Sequence, residues 1–234
     1  MFFEEHAKLL SDFARVSQAA GARADYVQGG GGNTSVKLPG GLMAIKASGF
    51  CLSDIRPDKA YAVLDGADLR NFYLTTEPSA LADVEKEGSA RAKADVRHID
   101  GLADLRPSVE AGFHSILKTF VVHTHSVYAN LAACSTACRP IAAQAFAGAN
   151  YTWGWVPYTD PGANLTFAIR DEHLTIFVLS GHASSGSRDA DVWILSALTS
   201  LPDSLTTSGS LWEATQMAHR SRHSARCLLF HKPT

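Results

Sequence analysis

The stretch Arg106-Pro107-Ser108-Val109-Glu110-Ala111-Gly112-Phe113-His114-Ser115-Ile116-Leu117-Lys118-Thr119-Phe120-Val121-Val122-His123-Thr124-His125 carries a helix signal and a strand signal end to end. Pro107 suits a first helical turn, where its missing N–H costs nothing, and Val109, Phe113, Ile116 and Leu117 follow at helical spacing. A helix opening at Pro107 is therefore expected. Phe120-Val121-Val122-His123 reads as a buried strand. A helix feeding straight into a buried strand is a building block of α/β architecture.

Outward from this unit, strands and helices continue to alternate. Leu9, Leu10, Phe13, Val16 and Ala19 give residues 4–20 one apolar helical face. The Gly29-Gly30-Gly31-Gly32-Asn33 run cannot continue a helix and is a loop. Residues 36–38 and 42–46, split by Pro39-Gly40-Gly41, read as a hairpin, and 61–64 as another strand. Residues 75–105, rich in Ala and charge, predict a partly exposed helical excursion. Further along, 128–134 reads as helix, 153–157 as extended, 163–170 as helix, 174–179 as strand and 189–198 as helix. After Leu201 a Ser- and Thr-rich stretch precedes a helix around 212–220.

Composition narrows the function classes. With 46% apolar and 19% charged residues, the 234-residue chain matches an ordinary globular protein with one buried core, so a single domain over residues 1–234 is expected. A formal net charge of -2 with dispersed Lys and Arg offers no field for nucleic acid. The longest apolar runs fall far short of the ~20 residues of a membrane span. Acids at Glu4 and Glu5, where a secretory leader would be basic, point to a cytoplasmic protein. Cys51, Cys134, Cys138 and Cys227 are too irregularly spaced for a disulfide framework; Cys134 and Cys138, four apart in a helix-like segment, read as small buried hydrophobes.

His123 and His125 stand at i and i+2 of extended chain, so both imidazoles project to one face and can reach one divalent metal, with zinc the leading choice. The pair could equally form hydrogen bonds at a strand end. His182, just past the 174–179 strand between Gly181 and Ala183, offers a third imidazole, and three His with an open position is a catalytic rather than a structural zinc composition. Taken alone, it is a loop histidine. Glu110 offers a carboxylate next to this set, or simply a favourable acid at a helix start, and His114 one turn later could orient it or sit in the core. The glycine run is neither a P-loop, since no Lys-Ser/Thr follows, nor a dinucleotide fingerprint.

Gly31-Gly32-Asn33-Thr34-Ser35, Ala47-Ser48-Gly49, Arg106-Pro107-Ser108-Val109-Glu110, His123-Thr124-His125, Val156-Pro157-Tyr158 and His182 together resemble, in order, the class II aldolase/adducin family. The resemblance spans residues 4–200 and is strongest to the aldolase portion of bacterial rhamnulose-phosphate aldolase/dehydrogenase proteins, with fuculose-phosphate aldolase more distant. It implies a three-layer α/β/α domain around a mostly antiparallel sheet, and a cyclic homotetramer by family analogy. It further implies zinc held by His123, His125 and His182, with Glu110 as the catalytic acid/base, and aldol cleavage of a small ketose phosphate through a metal-stabilised enediolate. Asn33, Ser48, Gly49 and Ser108 would hold the phosphate, helped by N–H groups of the Pro107 helix, with no Lys or Arg demanded.

The chain departs from the family pattern at three places. Val109 replaces a second Ser, Gly181-His182-Ala183 replaces Asn-His-Gly, and the tyrosine that some relatives supply from a neighbouring subunit has no aligned counterpart, leaving Tyr151 and Tyr158 as candidates by proximity. The tail beyond Leu201 matches nothing in the resemblance. Epimerase, dehydratase or decarboxylase chemistry would use the same intermediate. An adducin-like binding module is the non-enzymatic alternative, disfavoured by His123, His125, His182 and Glu110 occurring together.

Overall fold

Alternation along residues 33–46 sets the centre of the fold. Strand β1 (Asn33–Lys37) pairs antiparallel with β2 (Leu42–Lys46), Val36 opposite Ala44. The turn between them uses Gly40 and Gly41 at φ 75° and 79°, values that side chains with a Cβ rarely adopt. The computed structural model describes residues 1–133, 137–147, 153–172, 176–179 and 198–201. Among these, eight strands form one sheet in the order β4-β3-β2-β1-β5-β8-β7-β6. Here β3 is Tyr61–Asp65, β4 Val96–Arg97, β5 Phe120–His123, β6 Trp153–Val156, β7 Ile176–Leu179 and β8 Leu198–Leu201. Only the β6–β7 pair is parallel; β1 is antiparallel to both β2 and β5.

Because successive side chains leave a strand on opposite faces, each face can be read from the register. Val36, Ala44 and Val63 look to α2 (Ala7–Gly21), which follows the short α1 (Phe2–Glu5) and whose Leu10, Phe13 and Ala14 recur at helical spacing on the buried side. Burying side chains such as Leu10 and Phe13 contributes about 1.5–3 kcal/mol each. Ser17 of α2 ties this layer to the sheet: its Oγ donates to the Phe13 carbonyl at 2.7 Å and lies 2.7 Å from Thr34 Oγ1. Met43, Ile45 and Leu64 face the other way. They pack on Leu69 and Tyr73 of α3 (Gly66–Thr75) and Phe167 of α8 (Ala163–Asp171). Here too sits α5 (Ala111–Ile116), with Phe113 packed on Val121, Val156 and Ile169. Helices on both faces of a mostly antiparallel sheet make the expected three layers.

The expected helix at Pro107 begins instead at Ala111. Pro107 forms an isolated antiparallel bridge with Ala47, and Ser48 N donates to Arg106 O at 2.9 Å. A residue before proline is driven to extended backbone, which suits Arg106 to this bridge rather than to a helix entry. The chain then turns through Ser108: Glu110 N reaches Ser108 Oγ at 3.3 Å and Ala111 N reaches Ser108 O at 3.1 Å. Strand β1 starts at Asn33 rather than residue 36, because its outer half is paired with β5. The reading also missed α3, although Asp65 caps it by accepting from Asp68 N at 3.0 Å.

Of the exposed excursion, α4 (Val84–Ala94) is the helical part. Glu85 on it caps α8, accepting from Ala163 N and Asn164 N at 2.9 and 2.8 Å. Two short helices follow β5, α6 (Val127–Ala133) and α7 (Cys138–Ala145). Cys138 opens α7 and is partly buried, so it does not share a helix with α6; Cys134 lies outside the described residues. Leu198 belongs to β8 and not to a helix end, while the rest of the 189–198 reading and the 212–220 helix lie outside the described residues. No described helix is long and apolar enough to cross a membrane.

Candidate metal and acid/base site

The β1–β5 register sets Asn33 opposite His123 at the end of the two central strands. Alternation turns His123 toward α5, where it is 1% exposed and meets the Phe113 ring edge-on at 5.8 Å. Glu110, immediately before α5, reaches the same point. Its Oε2 lies 3.1 Å from His123 Nδ1 and accepts from Asn33 Nδ2, also at 3.1 Å. Three sequence-separated readings, Asn33, Glu110 and His123, therefore converge on one carboxylate oxygen. No hydrogen bond reaches Glu110 Oε1 among the described residues, and the side chain keeps 15% of its surface exposed.

The far nitrogen of His123 decides what the ring can do. Its Nε2 is buried with no hydrogen-bond partner among the described residues. In the neutral tautomer that donates from Nδ1 to Glu110, Nε2 holds the lone pair, the arrangement of a carboxylate-oriented metal-ligating imidazole. His125 stands beside it, ring centroids 4.8 Å apart and planes at 54°. Burial, together with the neighbouring His123, lowers the His125 imidazole to about 4, so at neutral pH it has no proton to displace before ligating. Burial alone would push the Glu110 carboxyl up. His123, His114 and the Asn33 hydrogen bond outweigh it and bring the group down to about 2.

A divalent cation thus fits the residues present: a buried orphan nitrogen, a neutral imidazole next to it and an anionic carboxylate within reach. His182, the expected third ligand, lies outside the described residues. A third imidazole that the reading left undecided does appear. His114 is fully buried, its Nδ1 2.8 Å from Ser35 Oγ and its Nε2 without a partner among the described residues, and with Glu110 and His123 it offers ligand atoms within 4.8 Å of one another. Ser35 shares the Asn33 face of β1 at i+2, but its contact with His114 depends on how α5 packs on that face and has no signal in the sequence.

Glycines make room for the pair. A Cβ on Gly31 would stand 3.1 Å from His125 Nδ1, and one on Gly32, at φ 73°, 2.9 Å from His123 O. Behind them Lys46 is 4% exposed and donates to Gly30 O at 3.2 Å and Phe50 O at 2.7 Å, tying the glycine loop to the 47–50 turn.

The other expected anion ligands are only partly together with this centre. The Ala47–Pro107 bridge sets the Ser48-Gly49 segment against the Arg106–Ser108 segment. Arg106 Nη2 donates to Ser48 Oγ at 2.9 Å, and Gly49 takes φ 89° with open space where a side chain would be. Asn33 is engaged with Glu110, and its Oδ1 accepts from Thr34 N. Val109 is 64% exposed at the rim. Two cations that the sequence reading did not single out lie close by, Lys46 on the Gly30 and Phe50 carbonyls and Arg106 on Ser48. Tyr158 donates to Asp160 at 2.8 Å, and Tyr151 lies outside the described residues.

Residues 11–184 match the family described as the Class II Aldolase and Adducin N-terminal domain. The chain belongs to this family. Solved class II aldolase structures carry the same fold at low identity. The N-terminal class II aldolase domain of a conserved Thermoplasma acidophilum protein is 19% identical at a TM-score of 0.68, covering 93% of this chain and 92% of its own. YgbL of Klebsiella pneumoniae, an aldolase/epimerase/decarboxylase candidate, is 18% identical at 0.56, covering 96% and 89%. L-fuculose-1-phosphate aldolase of Thermus thermophilus is 16% identical at 0.53, covering 97% and 95%. No curated protein sequence matches the chain.

Proposed function

We propose that this class II aldolase relative is a divalent-metal-dependent lyase that cleaves a small ketose phosphate by retro-aldol chemistry. The observation that carries the reading is the buried His123 ring, its Nδ1 on Glu110 and its Nε2 without a partner among the described residues, beside His125. His123, His125 and His182 would hold zinc or a similar cation, since imidazole accepts several. Bound there, the cation supplies Lewis acidity to adjacent carbonyl and hydroxyl oxygens of the substrate.

The protein's own part is proton transfer and positioning. Asn33 and His123 hold Glu110 by Oε2, which leaves Oε1 to take the proton from the substrate hydroxyl as the carbon–carbon bond breaks and to return one to the carbanion. Ser48, Gly49 and Ser108 would bind the phosphate end, and a homotetramer is the expected assembly by family analogy.

The test is to load the purified protein with zinc and offer ketose-1-phosphates. Release of dihydroxyacetone phosphate, abolished by a chelator, is the expected result. Glu110→Gln should keep the metal and slow turnover by about 10²-fold or more. Epimerisation, water loss or carbon dioxide release without cleavage would transfer the site to those chemistries, the breadth named for YgbL. A protein that neither binds metal nor turns over any sugar phosphate would return the chain to the non-catalytic, adducin-like reading.

A further inference from the structure

We infer that Arg106 is the specificity-determining cation of the substrate's anion subsite, selecting a terminal phosphate over an uncharged end; this deepens the reading above and rests on the same site. Arg106 is anchored to Ser48 twice, by Ser48 N donating to its carbonyl and by its own Nη2 donating to Ser48 Oγ. It differs from Arg15, Arg23, Arg91, Arg97 and Arg170, each of which sits on an aspartate, and from Arg56 and Arg70, which donate to main-chain carbonyls. Among the described residues the Arg106 guanidinium meets only that neutral hydroxyl. The residue is exposed, and among the described residues no carboxylate meets its charge and its remaining N–H groups are unspent.

The two serines around it are primed in the same sense. Ser48 Oγ accepts from Arg106, and Ser108 Oγ accepts from Glu110 N, so each hydroxyl retains its hydrogen for a ligand. Gly49 leaves an open approach to backbone beside them. A cluster that offers hydrogens and a positive charge suits a group that only accepts. A sugar hydroxyl could satisfy the donors but not the charge. A planar guanidinium fork matches a phosphate's paired oxygens, which a point charge cannot do. Val109 turns outward, so the donor lost there is replaced on the opposite side of Ser108 in sequence.

The experiment is calorimetric titration of the purified protein with inorganic phosphate, alongside Arg106→Met, Arg106→Lys and the exposed charge control Lys93→Met. Arg106→Met should weaken phosphate by about tenfold or more, the scale of a charge-assisted hydrogen bond. Lysine should restore part of that, and Lys93→Met should bind as wild type, with all variants matching wild-type circular dichroism. Phosphate bound equally by wild type and Arg106→Met overturns the inference, and so does a wild type that binds none. Turnover separates it from the aldolase reading. Phosphate binding that depends on Arg106 without any cleavage would end the latter and leave the former. Cleavage of a ketose phosphate with unchanged KM in Arg106→Met would do the reverse.

Discussion

Lys37 shows how one side chain can tie stability to pH. It leaves β1 on the α5 side and donates to the His114 carbonyl, near Arg70, which donates to the Ser115 and Ile116 carbonyls. Burial, with a smaller push from Arg70, lowers its ammonium from 10.5 to about 7. Between those values the unfolded chain holds the proton and the folded one has released it, so the unfolded state binds more protons and stability rises with pH. Below about 7 both forms are charged and the burial penalty stands in full. Denaturant midpoints should therefore climb from about pH 7 to about pH 9, and Lys37→Met should flatten that slope. A slope unchanged in the variant would assign it to other groups. Residues of this kind were the hardest to read from sequence. His123 and Glu110 advertise themselves by type and place, whereas Lys37 and Lys46 find main-chain carbonyls, which leave no mark in the side-chain pattern.

At the scale of elements, the glycine loop divides into glycines that bear on the site and glycines that do not. Gly32 takes φ 73°, and a Cβ there would stand 2.6 Å from Val27 and 2.9 Å from the His123 carbonyl. A Cβ on Gly30 would meet nothing within 4 Å. Gly32→Ala should lower stability by about 1–3 kcal/mol through strain at φ > 0 and disturb the metal site, while Gly30→Ala should stay near neutral. Thermal melts with metal content read out both. Equal behaviour of the two variants would make the run a mere connector. The Leu42–Lys46 strand and the Phe120–His123 strand were legible because their apolar runs are bounded by turn residues and polar groups. The helix start at Ala111 was not. Pro107 serves a helix entry and a bridge equally well, and what decided between them was Ala47, distant in sequence.

For the whole molecule, the sheet order is what turns distant motifs into one centre. β1 and β5 are neighbours in the middle of the sheet although most of the first half of the chain runs between them. A cation at this centre would therefore be bound by the folded form, and its binding should stabilise the entire domain, by about 2.7 kcal/mol at a hundredfold excess over Kd. Chelation should lower the unfolding temperature of wild type and leave His123→Ala, already without metal, where it is. Equal melting with and without chelator would remove the coupling between metal and fold.

The pairing of Asn33 with His123 has one more consequence, for how such a protein can change over generations. Gains or losses of residues at exposed positions between β3 and β5, such as Glu77, Ser79 and Ala80, leave this pairing untouched. Deletion of Val122 alone would keep a hydrogen-bonded sheet yet bring His123 to the place of Val122, on the opposite face, and set Thr124 opposite Asn33. Such a lineage would lose its chemistry by a shift of frame between two strands, with Asn33, Glu110 and both histidines still present in its sequence.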